Sequence, residues 1–110
     1  MEHVALVGFS QGACLALEYA ARNPRRYAFI GGLSGGLIGP MDQIRSGDLA
    51  KTPILLGCAA QDPHIPIEFV EHSAAVLENM GAAVTKQIYP GEAHTLFPNE
   101  ISWLRAQIGT

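Results

Sequence analysis

The sequence predicts an α/β fold, a parallel sheet of about four strands flanked by helices. Two observations carry this expectation. Short apolar runs alternate with longer stretches of helical spacing along the 110 residues. Their order is strand, helix, strand, loop, strand, helix, strand, helix, which requires right-handed crossovers, and such crossovers join parallel strands.

His3–Phe9 (HVALVGF) is a continuous apolar run, the signature of a strand buried on both faces. Gln11–Asn23 reads as a helix rich in Ala and Leu. Ala13, Cys14, Leu15, Ala16, Leu17, Ala20 and Ala21 surround most of its axis, which predicts deep burial. Asn23-Pro24 ends it, because proline disfavours a helical residue before it. Tyr27–Leu33 and Pro53–Ala59 (PILLGCA) are the next strands. Between them Gly35, Gly36, Gly39, Pro40 and Gly47 mark a flexible connection with at most one short helical turn. From Ile67 to Met80, Val70, Ala74 and Leu77 follow helical spacing, and Gly81 supplies the C-terminal cap. Ala83–Tyr89 alternates enough for a strand with one side partly wet. Pro98 opens a last helix with Ile101, Leu104 and Ile108 along one face.

The length suits a single domain, 1–110. Charged residues make up 15% of the chain, against about 25% in average soluble domains. That deficit predicts that something outside these residues covers part of the surface. A net charge of −3 without a Lys/Arg cluster excludes nucleic acid or an anionic membrane as the main partner. The apolar stretches fall short of the roughly 20 residues of a membrane-spanning helix. Met1-Glu2-His3 lacks the basic start of a secretory signal. Cys14 and Cys58 lie in apolar runs without C-x-x-C spacing and read as buried thiols of a cytoplasmic protein.

Gly8-Phe9-Ser10-Gln11-Gly12 lies where a strand ends and a helix begins, the context of a G-x-S-x-G nucleophile elbow. The turn is expected to be too tight for side chains at either glycine. It would hold Ser10 in a strained backbone conformation, with the Gln11 N–H aimed where an oxyanion forms. A serine hydroxyl needs a positioned base. Of the four histidines, His3 begins a strand, His72 is mid-helix and His64 is in a loop. His94 follows the last strand, where a parallel sheet places its active-site loops, and is assigned as the base. The acid should lie between serine and histidine in the chain. Asp62, just past the third strand, fits better than Asp42 or Asp48 in the glycine-rich connection. Asp62, His64 and His94 lack the spacing of a metal site, and Gly31-Gly32…Gly35-Gly36 lacks the ending of a phosphate loop.

GFSQGA at 8–13, GCAAQDPHIP at 57–66 and YPGEAH at 89–94 resemble the motifs of the phospholipase/carboxylesterase family of α/β-hydrolases. That family includes bacterial carboxylesterases and acyl-protein thioesterases. The resemblance implies the C-terminal half of an α/β-hydrolase fold and ester hydrolysis through an acyl-enzyme, without metal or cofactor. It implies Ser10 as nucleophile, His94 as base, Asp62 as its orienting acid and Gln11 as a backbone oxyanion donor. Short- to medium-chain acyl esters are the implied substrates, with lysophospholipids or thioesters in some members. Ala93 departs from the family in standing where glycine often precedes the histidine.

A complete domain of this family is much longer. By that comparison residues 1–110 are a single truncated domain, without the strands before the nucleophile and without the loop that carries a second oxyanion N–H. The His3–Phe9 strand then lies at the sheet edge, and an unpaired apolar edge pairs with another chain. A homodimer, or a partner chain covering His3–Phe9, is therefore expected. The alternative is a catalytically weak or inactive truncated hydrolase serving as an assembly or binding module.

Overall fold

A computed structural model describes residues 4–38, 45–95 and 97–108. The elements run β1 (Ala5–Phe9), α1 (Gln11–Arg22), β2 (Phe29–Leu33), β3 (Pro53–Ala59), α2 (Ile67–Asn79), β4 (Ala83–Tyr89) and α3 (Pro98–Ile108). The four strands form one sheet in the order β1-β2-β3-β4, and every neighbouring pair is parallel. The predicted α/β architecture is therefore present. His3, Gly39, Pro40 and Asp42 lie outside the described residues.

Register decides what each face carries. Leu6, Ile30, Ile54 and Val84 stand side by side across the sheet. They face Leu17, Ala20 and Ala21 of α1 and Val70, Ala74 and Leu77 of α2, and together these residues build the core. The opposite face bears α3, which lies against β2 and β3. There Trp103 meets Phe29 edge-on, with ring centroids 6.2 Å apart.

That one-sided cover corrects the expectation for the first strand. Val7 and Phe9 are 52% and 38% exposed. β1 pairs only with β2 among the described residues, and α3 lies mainly against β2 and β3. Helix α1 is likewise less buried than its composition predicts, since Leu15 and Tyr19 are 59% and 46% exposed. They are one helical turn apart and so share a face turned from the sheet. Cys58 is buried but Cys14 only half-buried, and both thiols are free. Burial, reinforced by the Asp62, Glu100 and Glu71 carboxylates, pushes the Cys58 thiol up to about 11.

Strand β2 begins at Phe29, two residues later than the pattern predicts, for a local reason. Tyr27 donates its N–H to the Thr52 hydroxyl at 3.0 Å and its phenol to Asn23 O at 2.8 Å. Its backbone is therefore engaged by a side chain and not by a strand ladder. Beyond β2, Ile38 and Arg45 are both held by Glu18, a buried acid on the inner side of α1. Glu18 binds Arg45 at 2.9 Å, Arg22 at 2.7 Å and the Ile38 N–H at 3.0 Å. Burial opposes its charge, but these partners outweigh it and hold the carboxyl below its ordinary range.

At the start of α3, Glu100 Oε1 accepts the Phe97 N–H at 2.9 Å, the reach-back of a capping box. Its other oxygen, Oε2, is buried over Gly57 without a hydrogen-bond partner among the described residues. Burial therefore raises the Glu100 pKa, although the Phe97 bond works against the shift.

Candidate active site

Three strand ends bring the candidate residues together. In an all-parallel sheet every strand finishes at the same edge, so residues just past β1, β3 and β4 gather there. Ser10 directly follows β1, Asp62 lies three residues past Ala59, and His94 five past Tyr89. Two backbone bonds fix the last two loops against each other, Ala60 N–H to Tyr89 O at 2.6 Å and Gln61 N–H to Gly91 O at 2.9 Å.

Ser10 occupies a left-handed backbone conformation, φ 58° and ψ −118°, which costs about 1–3 kcal/mol and needs support from its surroundings. Its N–H donates to Leu33 O at 2.8 Å, while its carbonyl accepts the Ala13 and Cys14 N–H groups at 3.0 and 3.2 Å. The residue is thus held from the strand side and the helix side at once. Gly8 makes this possible. A Cβ there would stand 2.1 Å from Gly12 O and 2.3 Å from Gly12 C. The expectation that both glycines are sterically required is corrected at Gly12, where an added Cβ would meet nothing within 4 Å among the described residues. The close approach is of Gly12's backbone to Gly8, so only one of the pair must lack a side chain.

His94 joins the other two residues. Its Nδ1 is 2.6 Å from Asp62 Oδ2 and its Nε2 is 2.8 Å from Ser10 Oγ. The remaining Asp62 oxygen, Oδ1, accepts the His64 N–H at 2.7 Å and the Ile65 N–H at 3.3 Å. Burial alone would raise the Asp62 pKa. The His94 bond, with the two backbone donors and the imidazole's charge, outweighs that and holds the carboxyl below its ordinary range. Chemically, a carboxylate that keeps a proton on Nδ1 leaves Nε2 free to accept the serine proton.

Gln11 is the first residue of α1, and the first N–H groups of a helix have no partner within it. Among the competitors for the acid, Asp48 lies elsewhere and caps a turn by accepting the Ala50 N–H at 2.8 Å. Two neighbours of His94 escaped sequence reasoning. The Phe9 ring lies 5.1 Å from it and the His64 ring 4.5 Å. His64 carried no signal beyond its place two residues after Asp62, because its ring meets a residue from another loop.

The profile of the phospholipase/carboxylesterase family matches residues 1–110. A crystal structure of a phospholipase/carboxylesterase from Dyadobacter fermentans is 42% identical, with a TM-score of 0.92 over 99% of this chain and 53% of its own. Acyl-protein thioesterase 1 of Gibberella zeae is 30% identical over 96% of this chain and 46% of its own length. The Saccharomyces cerevisiae acyl-protein thioesterase 1 is 32% identical over 97% of this chain and 49% of its own. The chain therefore spans about half the length of the curated relatives it matches. With a family match across the whole sequence and a fold shared with a carboxylesterase, this chain belongs to the phospholipase/carboxylesterase family of α/β-hydrolases.

Proposed function

We propose that the protein is a serine hydrolase that cleaves carboxylic esters or thioesters of short to medium acyl chains through an acyl-enzyme. The observation that carries this reading is the 2.8 Å contact between His94 Nε2 and Ser10 Oγ. Ser10 Oγ attacks the acyl carbon while His94 Nε2 takes its proton, and the carbonyl oxygen becomes an oxyanion facing the Gln11 N–H. Collapse of that intermediate breaks the bond to the leaving alcohol or thiol, which receives the proton from His94. Water then adds to the acyl-enzyme, giving its proton to His94, and Ser10 is released with that proton returned. Asp62 stays ionised throughout and balances the transient imidazolium. The nucleophile, the base, its orienting acid and one oxyanion donor are all groups of this chain, no cofactor is assigned, and the free thiols suit a cytoplasmic setting.

A fluorophosphonate probe tests the nucleophile. The protein is expected to be labelled, and Ser10→Ala to be unlabelled and to lose about 10⁶ in turnover. Folded protein that resists the probe would refute the proposal.

The exposed apolar edge supports a second part of the reading, that a second copy of the chain, or a partner chain, covers β1 and residues 1–110 act as part of a larger hydrolase unit. Val7 and Phe9 of the edge strand, with Val4 just before it, lie exposed. Each large apolar side chain left wet forgoes about 1.5–3 kcal/mol of burial. Sedimentation equilibrium at micromolar concentration is expected to show a dimer, and a stable folded monomer would remove this part. A stable dimer with background turnover of p-nitrophenyl butyrate would instead favour an assembly or binding module.

A further inference from the structure

We propose that His64 is a positioning residue for His94, its imidazole forming a wall that keeps the base in line between Ser10 and Asp62. The inference rests on His94 being the base. The two hydrogen bonds to His94 leave from opposite nitrogens, at 2.6 and 2.8 Å. They define an axis through the ring, and a planar ring can rock about such an axis without breaking either bond. Only contacts against its sides oppose that motion. Two rings supply them, Phe9 from the end of β1 at 5.1 Å and 43°, and His64 from the β3–α2 loop at 4.5 Å and 51°. Of the two, the His64 ring lies nearer.

The surroundings of His64 point to the same role. The residue is exposed, so burial in the core does not account for where its ring lies. Its backbone N–H, at 2.7 Å from Asp62 Oδ1, already fixes the carboxylate that orients His94. Pro63 before it restricts the backbone of the turn. Residue 64 therefore acts on the base twice, through Asp62 by its backbone and on the ring directly by its side chain. Substitution removes only the second action, because any non-proline residue keeps the N–H.

The test compares His64→Ala and His64→Phe with the unsubstituted protein by p-nitrophenyl acetate kinetics and by proton NMR of the imidazole N–H. His64→Ala is expected to lower kcat about tenfold through misalignment of the base, with KM changed less than about twofold. His64→Phe restores the wall without an ionisable group, and its kcat is expected to return to within about twofold of the unsubstituted value. The His94 Nδ1 proton, shared with Asp62, should give a slowly exchanging downfield signal that persists with Phe and broadens with Ala. An unchanged kcat in His64→Ala, or equal impairment with Phe, would overturn the role. Should the unsubstituted protein hydrolyse no ester, the hydrolase proposal falls, while the NMR signal still decides this one: an identical signal in all three proteins overturns it.

Discussion

Asp62→Asn is expected to lower kcat about 10⁴-fold while leaving the fold intact, the scale of the same change in a serine-protease triad. The reason is a forced tautomer. Asp62 Oδ1 accepts two backbone N–H groups, from His64 at 2.7 Å and Ile65 at 3.3 Å. In the asparagine variant the amide oxygen must take that place, since an NH₂ group there would face two donors. The NH₂ group then occupies the Oδ2 position, 2.6 Å from His94 Nδ1, and donates to it. His94 consequently carries its proton on Nε2, facing the hydroxyl whose proton it should accept. Steady-state kinetics alongside circular dichroism checks this outcome, and a loss below about tenfold would show that Asp62 does not set the tautomer.

The same carboxyl fixes the sign of a pH effect on stability. Its folded pKa lies below the unfolded value because the ionised form is bonded to His94 and two backbone donors. Its contribution is therefore complete above the ordinary aspartate value of about 3.9. It is lost as pH falls below that value through the depressed folded one. In Asp62→Asn this part of the acid sensitivity should disappear, readable as a flatter urea midpoint below about pH 4.

Periodicity located the elements well where both ends carried local punctuation. Pro53 and the turn after Ala59 bound β3, and Ala83 and Pro90 bound β4, and both strands span the ranges their patterns predict. The gathering of Ser10, Asp62 and His94 at one edge was legible for a topological reason, since parallel strands share a carboxyl end. Long-range side-chain meetings were not. Glu18 sits mid-helix among alanines, and its burial depends on Arg45 and Ile38, residues in a loop with no period of its own. Likewise, the exposure of Leu15 and Tyr19 follows from which elements pack on α1, something its own composition does not encode. The His64–His94 contact is of the same kind, with its partners thirty residues apart on separate loops.

Gly8→Ala is expected to cost at least about 3 kcal/mol and to abolish turnover together with folding cooperativity. The added methyl would fall 2.1 Å from Gly12 O, 2.3 Å from Gly12 C and 2.6 Å from Ala13 N. All three are backbone atoms of the first turn of α1, so no side chain can swing aside to make room. Relief requires moving the helix start away from β1, yet that start is bound to Ser10 O through the Ala13 and Cys14 N–H groups. The shift would drag Ser10 with it, and with Ser10 the 2.8 Å contact to His94. Gly12→Ala is the built-in control, since its Cβ would meet no atom within 4 Å among the described residues and alanine favours a helix. That variant should keep both its urea midpoint and its turnover. Equal tolerance of alanine at both positions would show that the elbow yields at Gly8, and that the strained serine backbone is not held by the approach of these two segments.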